Sequence, residues 1–209
     1  MKYLRALILS ASLLCVASCS ETTDLPTLQA GAVVLAFGDS ITHGTGAGSG
    51  QNYPTLLGQA TGWEIINAGI PGDTAQAARE RIEPLLSRHR PDLVIVELGG
   101  NDFLRRRNPA EVKVDLEAIL SRVAAAGVPA VLVSVPQFSV LRATMGALND
   151  SPIYRELADE RDLLLIPDLL SDILSREEWK ADPVHPNAAG YQALASGIHA
   201  ALQGAGIAP

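Results

Sequence analysis

Three residue types that together can carry out acyl transfer stand far apart in this 209-residue chain. Ser40 follows the apolar run 33–37 in Gly38-Asp39-Ser40-Ile41-Thr42. A serine hydroxyl is a weak nucleophile until a neighbouring base takes its proton, and that base needs a carboxylate to hold its tautomer. His185 offers the base, in Asp182-Pro183-Val184-His185-Pro186-Asn187. Asp182, three residues earlier on the same loop, can fold its carboxylate back to the other ring nitrogen. Pro186 suits the first position of a following helix, which would fix the direction of His185. Two further polar clusters, 67–74 (NAGIPGDT) and Gly99-Gly100-Asn101-Asp102, also follow apolar runs.

Rival assignments exist for each role. His43 lies three residues after Ser40 and within reach of its hydroxyl in a helical turn, but has no carboxylate within a few residues. Asp168 and Asp172 are alternative orienting groups for His185, acting from a distance. His89 ends a charged helical stretch, where the helix dipole favours it, and His199 reads as a surface helix residue. Asp39 and Asp102 read as acceptors for loop amides, and Glu97 as a buried, hydrogen-bonded carboxylate. The glycine-rich stretch 44–50 fails the G-x-G-x-x-G pattern, because its sixth position is Ser49 or Gln51, and no G-K-[ST] follows. It reads as a loop on the rim of the site. Neither G-x-S-x-G nor H-E-x-x-H occurs. Cys15 and Cys19 both fall in the first twenty residues, so the rest of the chain has no disulfide framework or cysteine metal site. No metal and no cofactor is expected.

The surrounding pattern explains how these residues can meet. Apolar runs at 33–37, 63–67, 93–98, 130–135 and 163–166 alternate with amphipathic stretches at 53–60, 74–88 (broken near Pro84), 109–126, 152–160 and 186–202. Continuous apolar runs mark strands covered on both faces, and alternation with helices marks a parallel sheet. Val112, Leu116, Ile119, Leu120 and Val123 form one helical stripe, and Tyr191, Leu194, Ala195, Ile198 and Leu202 another. The expected fold is α/β: a three-layer α/β/α sandwich with a five-stranded parallel sheet, whose ligands bind at the carboxyl ends of the strands. The length suits a single domain. With 16 Lys+Arg against 23 Asp+Glu, a formal charge of −7 and no basic face, nucleic acid is excluded as a partner.

The first eighteen residues, MKYLRALILSASLLCVAS, have two positive charges and a short apolar run, as a secretory signal does. Val16-Ala17-Ser18-Cys19 resembles the bacterial lipobox. It implies cleavage before Cys19 and lipidation of that cysteine, and Ser20 in place of Asp points to the outer membrane. Several acyl chains make a stable anchor where one does not. The expected organisation is a lipoprotein signal peptide at 1–18, a tether at 19–30 and the domain at 31–209, facing the periplasm.

The four blocks GDS, NAGIPGDT, VELGGND and DPVHPN resemble, in order and over about 32–201, those of the GDSL or SGNH hydrolase superfamily. Within it they are most similar to the bacterial periplasmic thioesterase, lysophospholipase and arylesterase group. The resemblance implies a flavodoxin-like fold, the catalytic residues Ser40, Asp182 and His185, and no metal. It also implies an oxyanion hole made by the Ser40 and Gly72 backbone N–H groups and the Asn101 side chain. The implied function is hydrolysis of small-molecule or lipid carboxylic esters or thioesters through an acyl-enzyme. A carbohydrate O-deacetylase of the envelope is the alternative, and a non-catalytic envelope-binding lipoprotein a further one. The stretch 136–151, with Phe138, Leu141 and Met145, reads as an apolar substrate rim. Loss of one oxyanion donor typically costs about 10²–10³ in turnover, so that loss is expected for Asn101→Ala, with folding unchanged.

Overall fold

In the computed structural model, residues 26–137 and 148–209 are described. Five strands form one sheet: β1 (Val33–Gly38), β2 (Glu64–Gly69), β3 (Leu93–Glu97), β4 (Ala130–Val133) and β5 (Leu164–Ile166). All pairs are parallel, in the order β2-β1-β3-β4-β5. Val34, Leu35, Ala36 and Phe37 of β1 and every residue of β3 are buried, the exposure that a strand with helices on both faces must have.

The helices are α1 (Ser40–His43), α2 (Tyr53–Thr61), α3 (Ala75–Ala78), α4 (Ile82–His89), α5 (Gly100–Leu104), α6 (Pro109–Ala125), α7 (Ile153–Arg161), α8 (Leu169–Leu174) and α9 (Ala188–Gly204). On one side α9 packs on α2 and α8; on the other α6 packs on α3, α4 and α7. Asn108 caps α6 by accepting from the Ala110 N–H, and Pro109 takes the first helical position. Both expected helical stripes face the core.

The structure corrects the sequence reading in four places. The stretch 74–88 is two helices, and the break falls at 79–81 rather than near Pro84, which is accommodated in the first turn of α4 where an N–H has no helical partner. Pro186 does not start the last helix. Asn187 caps it by accepting from the Gly190 N–H, and Pro186 lies in a strand. Asp115, whose charge alone would suggest an exposed position on α6, is buried between Arg79 and Arg107 at 2.7 and 2.9 Å. Leu28, inside the stretch expected to be a tether, is part of the fold: it is buried and donates its N–H to the Ile207 carbonyl. Cys19 and the candidate rim residues Phe138, Leu141 and Met145 lie outside the described residues.

Candidate active site

Three parallel neighbours, β2, β1 and β3, end side by side, and each is followed by a turn that carries one polar block. After β1, Asp39 caps α1 with its carboxylate on the Ile41 N–H at 3.0 Å, and Ser40 is the first helical residue. Gly38 cannot be larger: a Cβ there would lie 1.9 Å from Thr42 Oγ1 and 2.6 Å from the Glu97 carbonyl. At the end of β2, Asn67 accepts from the Gly69 N–H, and beyond it Gly72 stands at φ +79, a left-handed conformation that glycine adopts without strain. After β3, Gly99 turns the chain at φ +121 into α5, which carries Asn101 and Asp102.

The fourth block arrives on a two-stranded antiparallel ribbon, β6 (Lys180–Asp182) with β7 (His185–Pro186). One Asp182 oxygen, Oδ1, accepts from the Val184 and His185 N–H groups, both at 2.9 Å, and so closes the turn. The other, Oδ2, meets His185 Nδ1 at 2.7 Å. With Nδ1 donating there, Nε2 is left as the acceptor for the Ser40 hydroxyl, 3.0 Å away. Asp182 is held ionised: partial burial opposes its charge, but the His185 ring and the two backbone N–H groups outweigh this and lower its pKa. Gly46, at φ +96, lets the 44–50 loop pass against this ribbon. A Cβ there would lie 2.5 Å from the Pro186 carbonyl and 2.9 Å from Ala181 Cβ.

The rival assignments separate cleanly. His43 is exposed at the end of α1, and His185 meets Ser40 instead. Asp172 is exposed, and Asp168 uses its N–H on the Asp150 carboxylate; Asp182 meets His185. His199 is not simply a surface residue: it is half-buried, and its Nε2 is buried without a hydrogen-bond partner among the described residues.

A pocket of about 60 Å³ opens at this edge, lined by Ser40, His185, Asn101, Asp39, Glu97 and Leu104 among others. Gly72 is not among its lining residues. Gly72 sits exposed on the adjoining turn, with its carbonyl accepting from Arg105 at 3.0 Å. A larger hollow of about 460 Å³ lies at the opposite end of the sheet, against the start of β4 and β5, and its lining is mostly apolar. Among the described residues no group of three or more His, Cys, Asp or Glu is placed to hold a metal ion.

Two acids stand behind Ser40. Glu97 is buried, accepts from the Thr42 hydroxyl at 2.9 Å, and has its other oxygen unpartnered. Loss of hydration, reinforced by the nearby Asp39, pushes its pKa well above the ordinary carboxylate range. Asp39 is pushed up to about 6, chiefly by burial, with the Ile41 N–H, His185 and Asn101 pulling the other way. Asn101 Nδ2 donates to Asp39 Oδ2 at 2.9 Å. Sequence reasoning missed this tie, which joins the turn after β1 to the turn after β3. Asp102 accepts from the Ala75 N–H and from Arg107, consistent with the structural role read for it.

A serine-bearing turn at the carboxyl edge of a doubly wound sheet, faced by a His-Asp ribbon, is an arrangement suited to hydrolases that work by acyl transfer. The GDSL-like lipase/acylhydrolase family matches residues 36–193, and the chain belongs to it as an enzyme of the esterase/thioesterase type. It is 35% identical over 162 residues to thioesterase 1/protease 1/lysophospholipase L1 of Escherichia coli (strain K12), covering 74% of this chain and 75% of that protein. It is 32% identical over 167 residues to an arylesterase of Vibrio mimicus, covering 76% of this chain and 82% of that protein. The crystal structure of AlinE4, an SGNH-hydrolase family esterase, superposes with a TM-score of 0.64 at 34% identity, over 86% of this chain and 98% of that one.

Proposed function

We propose that the chain hydrolyses carboxylic esters or thioesters through an acyl-enzyme formed on Ser40. The hydrogen-bonded line Ser40 Oγ, His185 Nε2, His185 Nδ1, Asp182 Oδ2, at 3.0 and 2.7 Å, carries this reading. In the first half, His185 takes the Ser40 proton as Oγ attacks the acyl carbonyl, and the tetrahedral oxyanion forms. His185 then gives the proton to the leaving alcohol or thiol as the bond to it breaks. In the second half, His185 takes a proton from water, hydroxide attacks the acyl carbon, and the acid leaves as the proton returns to Ser40. The Ser40 and Gly72 N–H groups and Asn101 are the donors proposed for the oxyanion. Asp182, held ionised, stabilises the imidazolium between the two transfers.

The leader and lipobox-like residues support a mature chain lipidated at Cys19 and anchored in the cell envelope, with the outer membrane as the expected anchor. Incorporation of labelled palmitate, lost on Cys19→Ala, checks that part.

A fluorophosphonate probe with peptide mass spectrometry tests the chemistry. Ser40 should carry the adduct, and Ser40→Ala should abolish both labelling and turnover. Turnover surviving in Ser40→Ala removes the mechanism. A panel of acyl esters and thioesters of increasing chain length, with acetylated glycans beside them, separates the main reading from glycan O-deacetylation: acetate released from glycans alone would favour the latter.

A further inference from the structure

The guanidinium of Arg81 lies outside the pocket lining yet touches the backbone on both sides of the site. Its Nη2 donates to the Gly38 carbonyl, two residues before Ser40. Its Nη1 donates to the Ala68 carbonyl, four residues before Gly72, and its Nε to Asp73 Oδ2, one residue after Gly72. All three bonds are 2.7 Å, and the guanidinium carbon stacks over the Phe37 ring at 4.1 Å from its centroid. The side chain is 19% exposed.

We propose that Arg81 is a positioning residue that fixes the distance between the Ser40 turn and the Gly72 turn, and thereby sets the oxyanion donors that each supplies. The inference rests on the function proposed above. Two strand ends that adjoin in a sheet are held in register by their ladder, but the turns beyond them are not. Beyond β1 and β2 the ties thin out to the Ile70 N–H on the Gly38 carbonyl at 3.2 Å, with Asn67 Nδ2 on the Thr42 carbonyl at 2.9 Å beside it, and Gly72 is a conformationally permissive residue on an exposed turn. A planar fork of donors, pinned by an aromatic face, binds several acceptors in fixed relative geometry, which a lysine ammonium on a flexible stem cannot. The break between α3 and α4 leaves Arg81 at the entry to α4, φ −107, and from there its side chain reaches Gly38, Ala68 and Asp73. Because a shift of about 1 Å in an oxyanion donor is enough to lose on the order of 10²-fold in rate, a residue that sets this distance acts on turnover rather than on substrate affinity.

The test is steady-state kinetics of Arg81→Ala, Arg81→Lys and Asp73→Asn on an ester that the wild type cleaves, with circular dichroism to establish the folded fraction. Arg81→Ala should lose on the order of 10²-fold in kcat with KM within about threefold, and millimolar guanidinium ion should restore at least tenfold of that loss. Arg81→Lys should lie between the two, and Asp73→Asn, which keeps the other two bonds, should lose about tenfold in kcat. Folded variants with wild-type kcat overturn the proposal. So does a loss of activity that tracks only the unfolded fraction and is not rescued by guanidinium. If Arg81→Ala does not fold, Arg81→Lys and Asp73→Asn decide alone, and unchanged kcat in both overturns it. Labelling of wild-type Ser40 by the fluorophosphonate is read alongside: its failure sinks the function, whereas labelling together with indifferent Arg81 variants sinks only the positioning role.

Discussion

Replacing Asn101 by alanine separates the oxyanion role proposed for it from the hydrogen bond that it makes to Asp39. As an oxyanion donor its loss is worth about 3 kcal/mol in the transition state, a fall of about 10²–10³ in kcat. As the donor to Asp39 Oδ2 at 2.9 Å its loss also falls on the folded protein. A hydrogen bond to a charged group is worth about 1.5–3 kcal/mol, and one to a neutral group about 1. Asp39, pushed up to about 6 by burial, changes between these two conditions within an accessible range. Below about pH 5 it is protonated and the alanine variant should lose about 1 kcal/mol of stability. Near pH 8 it is ionised, and the loss should grow to about 2 kcal/mol or more. Folding is therefore not untouched by this substitution, contrary to the expectation from sequence. Urea unfolding of both proteins near pH 5 and near pH 8, with kcat measured at the higher pH, provides the readings. Turnover within about threefold of wild type would refute the oxyanion role. A stability loss that is larger at the lower pH would refute the assignment of charge to Asp39.

Two other predictions bear on groups behind and beside Ser40. Glu97→Gln should change stability little near pH 5 and become relatively stabilising near pH 8. A carboxyl whose folded pKa is raised contributes stability that is full below its unfolded pKa and is lost as pH rises towards the folded one. Urea unfolding at the two pH values checks the sign, and a Gln variant that grows relatively less stable with rising pH contradicts it. Gly46→Ala should lower kcat by at least tenfold and destabilise the fold by about 1–3 kcal/mol. Its new Cβ would lie 2.5 Å from the carbonyl of Pro186, next to His185, at a positive φ. Wild-type kinetics and stability in that variant would show that the ribbon yields without moving the imidazole.

What sequence shows of such a molecule depends on the size of the pattern. Strands β1 and β3 were legible because burial on both faces demands continuous apolar runs, and α6 and α9 because a helix of 17 residues repeats its apolar stripe several times. Ser40, Asp182 and His185 were legible as a constellation, and the structure brings those three together. Elements of two to six residues left no period to read: α1, α5, α8 and the β6–β7 ribbon are defined by caps and long-range contacts. The partners of Arg81 lie 8, 13 and 43 residues away, and two of them are backbone carbonyls that leave no mark in sequence. Asp115 shows the same limit, because its charge suggested solvent while two arginines from elsewhere compensate it in the interior.

The hydrogen bond between Ser40 and His185 spans 145 positions, and that from the Tyr191 hydroxyl to the Thr45 carbonyl spans 146. Contacts of such separation are costly to make, since closing a long loop costs entropy before the contact repays it. All five strands of the sheet precede the ribbon that brings His185 to Ser40, so a chain cut before β6 would keep every strand of the sheet and lose the partner of Ser40. On the function proposed above, such a shortened chain should have no turnover however well its sheet has formed.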